Sequence, residues 1–173
     1  MMLAALSSTS LAYVITDSGS LNGTDVGGLD GVLSITSTLA NSNPTTETTW
    51  VNSELGGTPQ LQYSVKDEDV SLHNTDGNNV FAFSLSEEPG YYLIKNAKAW
   101  ALMSNAASLE WGVFQLADLE PLFDKNSNGK LDDWVISHVI QFSVEVSEPG
   151  SIALVGLGLA GLVFSRRRLR TTP

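Results

Sequence analysis

The sequence predicts a mainly β protein: an antiparallel β-sandwich, jelly-roll-like or Ig-like, followed by a C-terminal hydrophobic helix. Short runs in which apolar and polar residues alternate predict strands that bury one face. Turn-forming Asn, Asp, Gly and Pro residues separate these runs, as is typical of all-β domains. An apolar stretch at residues 152–164, which ends in arginines, predicts the helix.

The chain before residue 60 gives the weakest strand signals. Residues 34–53 are half Ser and Thr, with several Asn. This stretch predicts a weak strand at residues 33–39, followed by a long loop.

The strand signals become clear after residue 60. Residues 135–146 form the clearest of them, because Ile136, His138, Ile140 and Phe142 fall on one face when the side chains alternate. The other predicted strands are the alternating or apolar runs 61–65, 80–85, 91–94, 98–103 and 109–113. Apolar residues at helical spacing also predict a short helix at 116–123, interrupted by Pro121.

Composition excludes several classes of protein. The chain has 173 residues, no cysteine and a formal charge of -10, and residues 13–146 carry 5 basic and 18 acidic side chains. Nucleic-acid binding is therefore not expected, because it requires clustered Lys and Arg. The lack of cysteine excludes a disulfide scaffold, a thiol nucleophile and Cys-ligated metal sites.

The N-terminal residues 1–12 are small and apolar, and Ser10-Leu11-Ala12 has the small-x-small pattern that precedes signal cleavage. We interpret them as a truncated signal peptide, with an ordinary first strand as the alternative. Residues 13–146 then form one acidic β-sandwich domain, and residues 147–173 form a separate tail.

The tail has three parts: Glu148-Pro149, the apolar run 152–164, and the basic residues Arg166, Arg167 and Arg168. The apolar run is shorter than the roughly 17 to 25 residues of most spanning helices. Local thinning of the bilayer and snorkelling arginines would allow it to span. The positive-inside rule predicts that the arginines stay in the cytoplasm while the acidic body lies outside.

Together these three parts resemble a PEP-CTERM sorting signal, although Ser147 stands where the family pattern has its first proline. The resemblance covers residues 147–173. It implies an exported protein of a Gram-negative-type bacterium whose partner is an exosortase-type membrane protease. It further implies an intermediate anchored in the inner membrane by the C-terminal helix, then delivery to the cell surface or extracellular matrix and a link to extracellular polysaccharide. A plain tail anchor is the structural alternative.

The body also resembles proteins that often carry such a tail. The similarity rests on Trp111-Gly112, the loop at residues 126–130, and Ser137-His138-Val139. It implies an exported domain and suggests no activity.

A calcium loop is the best candidate for a chemical site. Asp124, Asn126, Asn128 and Gly129 match positions 1, 3, 5 and 6 of an EF-hand-type loop, and Asp132 falls at position 9. Position 12 is Val135, so the bidentate carboxylate is missing and only a weak site is expected. A polar hairpin loop without metal is the alternative, and no other cofactor is expected.

The histidines and aromatic residues predict core packing more than chemistry. His138 lies on an apolar face, which predicts a neutral imidazole that is hydrogen-bonded inside the core, whereas His73 is expected to be exposed. The larger aromatic residues are expected in the core or half-buried, with a sugar-stacking surface as the alternative: Trp50, Tyr63, Tyr91, Tyr92, Trp100 and Trp111.

We therefore expect a structural or adhesive protein rather than an enzyme, because no nucleophile elbow, phosphate loop or catalytic triad signature is present. The first alternative is an extracellular carbohydrate-binding module, with calcium in the 124–132 loop. The second is a secreted hydrolase, which would need a cleft with converging carboxylates or a Ser-His pair.

Overall fold

The computed structural model describes residues 12–105, 110–119 and 136–144. It is mainly β with antiparallel sheets, as the sequence predicts. The predicted signal peptide (except Ala12), the calcium loop, the hydrophobic helix and the sorting tail lie outside the described residues. Within the described ranges, no helix is long and apolar enough to span a bilayer.

The described elements follow the predicted runs closely from residue 60 onward. They are β1 Tyr13–Val14, β2 Asp25–Gly27, β3 Gly31–Thr36, α1 Pro44–Glu54, β4 Leu61–Asp67, β5 His73–Asn74, β6 Val80–Ser84, β7 Tyr91–Lys95, β8 Trp100–Ser104, β9 Trp111–Gln115, a 3₁₀ turn Leu116–Leu119, and β10 His138–Val144. The 3₁₀ turn begins where the short helix was predicted.

Two sheets pack face to face. The larger has five strands in the order β3-β8-β7-β10-β4, and the smaller has three in the order β5-β6-β9, while β1 and β2 form a separate ribbon. Between the two sheets lies an apolar core that includes Phe81 and Phe83 of β6, Phe114 of β9, and Tyr92 and Ile94 of β7. Burial of these large side chains is the main favourable contribution to folding.

Strand β10 lies inside the larger sheet, between β7 and β4, and its residues from His138 to Phe142 are buried. Val139 contacts the core between the sheets, whereas Ile140 and Phe142 contact α1 residue Val51 and its apolar neighbours. The predicted sharing of one face by His138, Ile140 and Phe142 therefore holds, but Val144, which the same alternation puts on the apolar face, is 51% exposed, and the opposite face is buried at Gln141. Ile136 is an exception, since it precedes β10 and packs in the core between the sheets.

The predicted long loop at residues 40–53 is wrong, because α1 occupies Pro44–Glu54. The helix begins with a cap: the Asn43 side chain accepts a hydrogen bond from the Thr46 N–H at 2.8 Å, and Pro44 takes the first helical position. Threonine has a modest helix propensity, so this threonine-rich segment does not show a helical pattern in its sequence. Tertiary contacts supply the remaining stability of the helix, because Glu47 and Val51, which lie one turn apart, are both buried.

Strand β4 is an edge strand whose predicted alternation is broken. Val65 pairs with Gln141 and Tyr63 pairs with Phe142, so Ser64 is an extra residue in the ladder. Such a bulge moves the residues on its two sides to opposite faces. Tyr63 pairs with Phe142 on the α1 side of the sheet edge, where it is 42% exposed.

Candidate functional site

A cluster of polar side chains is buried beneath α1; we call Glu47, Lys95, Trp100 and His138 the Glu47 cluster. His138 pairs with Lys95, and Lys95 pairs with Trp100, across three adjacent strands. Residues directly opposite one another in a sheet project from the same face. Helix α1 packs on this face and places Glu47 against it.

The Glu47 carboxylate is the centre of the cluster. Its Oε1 accepts a hydrogen bond from Trp100 Nε1 at 2.5 Å and lies 3.0 Å from His138 Nε2. The exposed fraction is 0% for Glu47 and 2% for His138. Glu47 Oε2 is buried and has no hydrogen-bond partner among the described residues. The expectation that His138 is hydrogen-bonded inside the core is thus confirmed, and its partner is an acidic residue.

Lys95 adds a buried amine beside this pair. Its Nζ donates a hydrogen bond to the Asn96 carbonyl at 2.6 Å and lies 4.6 Å from the centroid of the Trp100 ring. Burial lowers the pKa of Lys95, while the charge of Glu47 acts in the opposite direction. The cluster therefore brings acidic and basic groups together in a nearly dry space.

The sequence contains one signal for this cluster that alternation of apolar residues does not show. Glu47 is the only charged residue between Asp30 and Glu54. A lone charge in a long uncharged stretch needs either solvent or a buried partner. The structure supplies His138 and Trp100 as partners, from strands far away in sequence.

A second buried polar group joins the two sheets. Asp30 Oδ2 accepts hydrogen bonds from the Tyr92 hydroxyl at 2.7 Å and from the Val113 N–H at 2.8 Å. Burial, followed by the nearby Asp30 carboxylate, raises the pKa of Tyr92 well above its ordinary value. Because Tyr92 belongs to β7 and Val113 to β9, this group is a structural link.

His73 is half-buried, which corrects the expectation that it is exposed. Its Nδ1 lies 3.0 Å from Asp17 Oδ2, and its ring contacts Trp111 edge to face. Asp17 also accepts hydrogen bonds from Asn74, whose side-chain amide is the largest cause of a lowered Asp17 pKa. The contact between Asp17 and His73 attaches the segment that follows β1 to strand β5.

A groove lies between α1 and β4, with a volume of about 520 Å³; we call it the β4 groove. None of the residues that line it is charged. Its lining consists of hydroxyl and amide side chains with one exposed aromatic ring, completed by Pro44 and Leu61: Thr45, Thr48, Thr49, Asn52, Gln60, Gln62 and Tyr63.

A second groove of about 460 Å³ lies on the other side of α1; we call it the Trp50 groove. It shares Thr45 and Thr49 with the β4 groove, and its lining also lacks charged residues. Its remaining lining residues are Leu39, Thr46, Trp50 and Ser53. Helix α1 therefore presents a ridge of threonines between two shallow, uncharged grooves.

Core packing is confirmed for most of the large aromatic residues. Tyr92, Trp100 and Trp111 are buried, and Trp50 and Tyr91 are half-buried against the apolar cluster beneath α1. Tyr63 is the exposed one among the six aromatic residues considered.

The candidate calcium ligands Asp124, Asn126, Asn128 and Asp132 lie outside the described residues, so the calcium loop stays a prediction. The described ranges contain no group of three or more His, Asp or Glu side chains arranged to hold a metal ion. The sorting-signal residues Glu148, Pro149, Arg166, Arg167 and Arg168 also lie beyond the described strands.

The tail is recognised by its sequence. The profile described as the PEP-CTERM protein-sorting motif matches residues 145–168, which include the Glu-Pro pair, the apolar run and three arginines. The chain carries a PEP-CTERM protein-sorting motif. No curated protein and no solved structure is significantly similar to this chain.

The PEP-CTERM motif has direct consequences for the whole chain. It implies export across the membrane to the cell surface. It also implies processing by an exosortase, which is a membrane protein.

Proposed function

We propose that this protein is a structural or adhesive component of the bacterial cell surface or extracellular matrix, built as a single β-sandwich and without catalytic activity. The observation that carries the proposal is the PEP-CTERM motif at residues 145–168. After sorting, the exported domain is the acidic body of residues 13–146, which carries 18 acidic and 5 basic side chains.

The enclosure of the Glu47 cluster supports a role without catalysis. Glu47 and His138 resemble the acid and base of a hydrolase, but their exposed fractions are 0% and 2%. A general base must come within hydrogen-bond reach of its substrate. This pair instead connects α1 to β10, which is a structural use of an acid–base pair.

Sorting can be tested by cell fractionation and mass spectrometry. The full chain and a variant lacking residues 145–173 would be expressed in a bacterium with an exosortase. We expect the full chain to pass through the membrane fraction and lose its tail, and the truncated chain to leave the membrane without processing. In an exosortase knockout, the full chain should keep its tail.

A matched control separates sorting from anchoring. Replacing Arg166, Arg167 and Arg168 by Ala keeps the length and apolarity of the tail but removes three of the four arginines whose charge holds its end in the cytoplasm. We expect this variant to be exported and left uncleaved. Normal processing of the triple variant, or a mature protein that keeps residues 145–168 in the presence of exosortase, would contradict the proposal.

A further inference from the structure

We propose that the exposed face of α1, with the β4 groove and the Trp50 groove on its two sides, binds an uncharged polysaccharide chain. The inference rests on the proposed adhesive function, to which it adds a ligand class and a place. Four observations carry it: the absence of charge in the grooves, the chemistry of their walls, the position of the aromatic rings and the rigid attachment of the helix.

The first observation is electrostatic. The domain carries a large negative charge, yet neither groove is lined by an Asp, Glu, Lys or Arg side chain. An anionic polymer would be repelled by the surrounding protein and would find no cation in the grooves. The absence of charge thus selects a neutral ligand.

The second observation is the density of hydroxyl and amide groups in the walls. Thr, Ser, Asn and Gln side chains both donate and accept hydrogen bonds, which matches the hydroxyl groups of a sugar. The β4 groove contributes Thr45, Thr48 and Thr49 to this set, together with the amide side chains of Gln60 and Gln62.

The third observation is the placement of aromatic rings. Tyr63 lines the β4 groove and Trp50 lines the Trp50 groove, so an aromatic ring lies on either side of the threonine ridge. Tyr and Trp offer an apolar face together with a polar group, which suits the apolar face of a sugar ring. Because Thr45 and Thr49 border both grooves, a ligand that contacts both rings must be elongated.

The fourth observation is that α1 is held in place. The Asn52 side chain accepts a hydrogen bond from the Leu61 N–H at 2.8 Å and donates one to the Leu61 carbonyl at 2.9 Å. Glu47 fixes the opposite face of the helix to His138 and Trp100. Ligand binding to preformed walls avoids the entropic cost of ordering them. The β4 groove also falls within the usual size range of ligand sites, roughly 300 to 1,000 Å³.

Affinity gel electrophoresis tests the inference with the full chain. The probes are two neutral polysaccharides, a β-glucan and a galactomannan, and an anionic one, alginate. We expect retardation by at least one neutral polymer and none by alginate. Retardation should be equal at low and high salt, because no charge pair contributes.

The variants are chosen to keep the fold. Tyr63→Ala should weaken binding roughly five- to tenfold, as expected for the loss of one aromatic contact, and Tyr63→Phe should bind nearly as well as the unchanged chain. Thr45→Glu places a charge on the ridge while favouring the helix, since an acidic residue in the first turn is stabilising; it should reduce binding in both grooves. Leu33→Ala, which shortens an exposed apolar side chain on β3, is the matched control and should have no effect.

Absence of binding to both neutral polymers, binding that Tyr63→Ala and Thr45→Glu leave unchanged, or preferential capture of an extended peptide along edge strand β4 would overturn the inference. Fractionation of the same variants distinguishes the two proposals. A variant that is sorted normally but no longer binds supports the site, whereas failure of sorting counts against the proposed function alone.

Discussion

The two faces of the five-stranded sheet are both buried, but they are held by different interactions. The face toward the smaller sheet packs mainly apolar side chains such as Ile94 and Met103 against β6 and β9. The face beneath α1 contains apolar residues around Glu47, Lys95 and His138. Apolar packing has no preferred direction, whereas hydrogen bonds to a buried carboxylate fix both position and rotation.

Helix α1 has a weak amphipathic pattern, so its position depends on the polar contacts of its buried face. Val51 is the fully buried apolar residue of α1, and Trp50 is partly buried against the same apolar cluster. The Glu47 cluster gives the helix a specific position. We therefore expect the α1 face to respond most strongly to single polar substitutions, and the opposite face to respond to changes in side-chain volume.

The largest expected effect is that of His138→Leu. It leaves the Glu47 carboxylate buried without its basic partner, which should reduce the free energy of unfolding by about 3 to 5 kcal/mol. Urea denaturation measures this loss. The double variant Glu47→Leu with His138→Leu should recover part of it, because no carboxylate is then left buried, while Trp100 Nε1 loses its acceptor.

A conservative change on the other face is the control for this result. Ile94→Val removes one methyl group from the core between the sheets and should cost about 0.5 to 1.5 kcal/mol. If His138→Leu costs no more than Ile94→Val, the Glu47 cluster does not fix α1 and the comparison fails.

The second largest expected effect is a loss of stability when side-chain volume is added to the core between the sheets. Gly112 pairs with Phe83, and a Cβ at Gly112 would lie 2.5 Å from Phe83 Cζ. Gly112→Ala should therefore cost about 1 to 3 kcal/mol, since Phe83 also packs edge to face on Tyr92 and has little room to move.

Gly90→Ala is the matched control, because a Cβ there meets no atom within 4 Å. Thermal unfolding should show a clear loss for Gly112→Ala and almost none for Gly90→Ala. Equal melting temperatures for the two variants would mean that the core between the sheets yields to added volume.

A smaller effect is expected at the start of α1. Asn43→Ala removes the cap on the Thr46 N–H and should cost about 1 kcal/mol, whereas Asn43→Ser keeps a capping oxygen and most of the stability. Chemical denaturation of both variants measures the difference. An equal loss for Ala and Ser would show that the tertiary contacts of α1, not its cap, decide where the helix begins.

The smallest expected effect is a pH-dependent loss of stability when Asp17 is replaced. The Asp17 pKa is lowered in the folded state, chiefly by the hydrogen bond from the Asn74 amide. A depressed carboxyl pKa contributes stability above its unfolded value of 3.8, and this contribution is lost as the pH falls through the folded pKa. Asp17→Asn should therefore be less stable than the unchanged chain at neutral pH.

The two stability curves should converge in acid, below the folded pKa of Asp17, because the carboxyl is then protonated. Thermal melting over a range of pH follows both proteins. A stability difference that is independent of pH would show that the charge of Asp17 does not stabilise the segment near β5.

The predictable part of the fold follows from apolar alternation. β6, β7 and β10 were predicted within a few residues, because short apolar or alternating runs bounded by turn residues indicate strands, even though these three are buried on both faces. Alternation failed at two kinds of place. The bulge at Ser64 is invisible in the pattern, and Ile136 lies just outside the strand to which it was assigned.

The candidate site was predicted only in part. His138 was expected in the core, but its partner Glu47 lies 91 residues earlier and in a different kind of element. Nothing in the local sequence around either residue shows that the two side chains lie in contact. The two grooves likewise combine α1 with segments on both sides of it, so their lining could not be read from any one motif.

The mainly β class and the export of the protein both follow from its linear sequence. Alternating runs require strands, and the motif at residues 145–168 is recognised as linear sequence, so neither depends on distant contacts. The helix at residues 44–54 needs tertiary contacts in addition to its local Asn43 cap, and only the folded chain shows that Glu47 meets His138 and that Tyr63 faces solvent. The physical reason is that a threonine-rich segment has little preference of its own, and a buried carboxylate stays where its hydrogen-bond partners hold it.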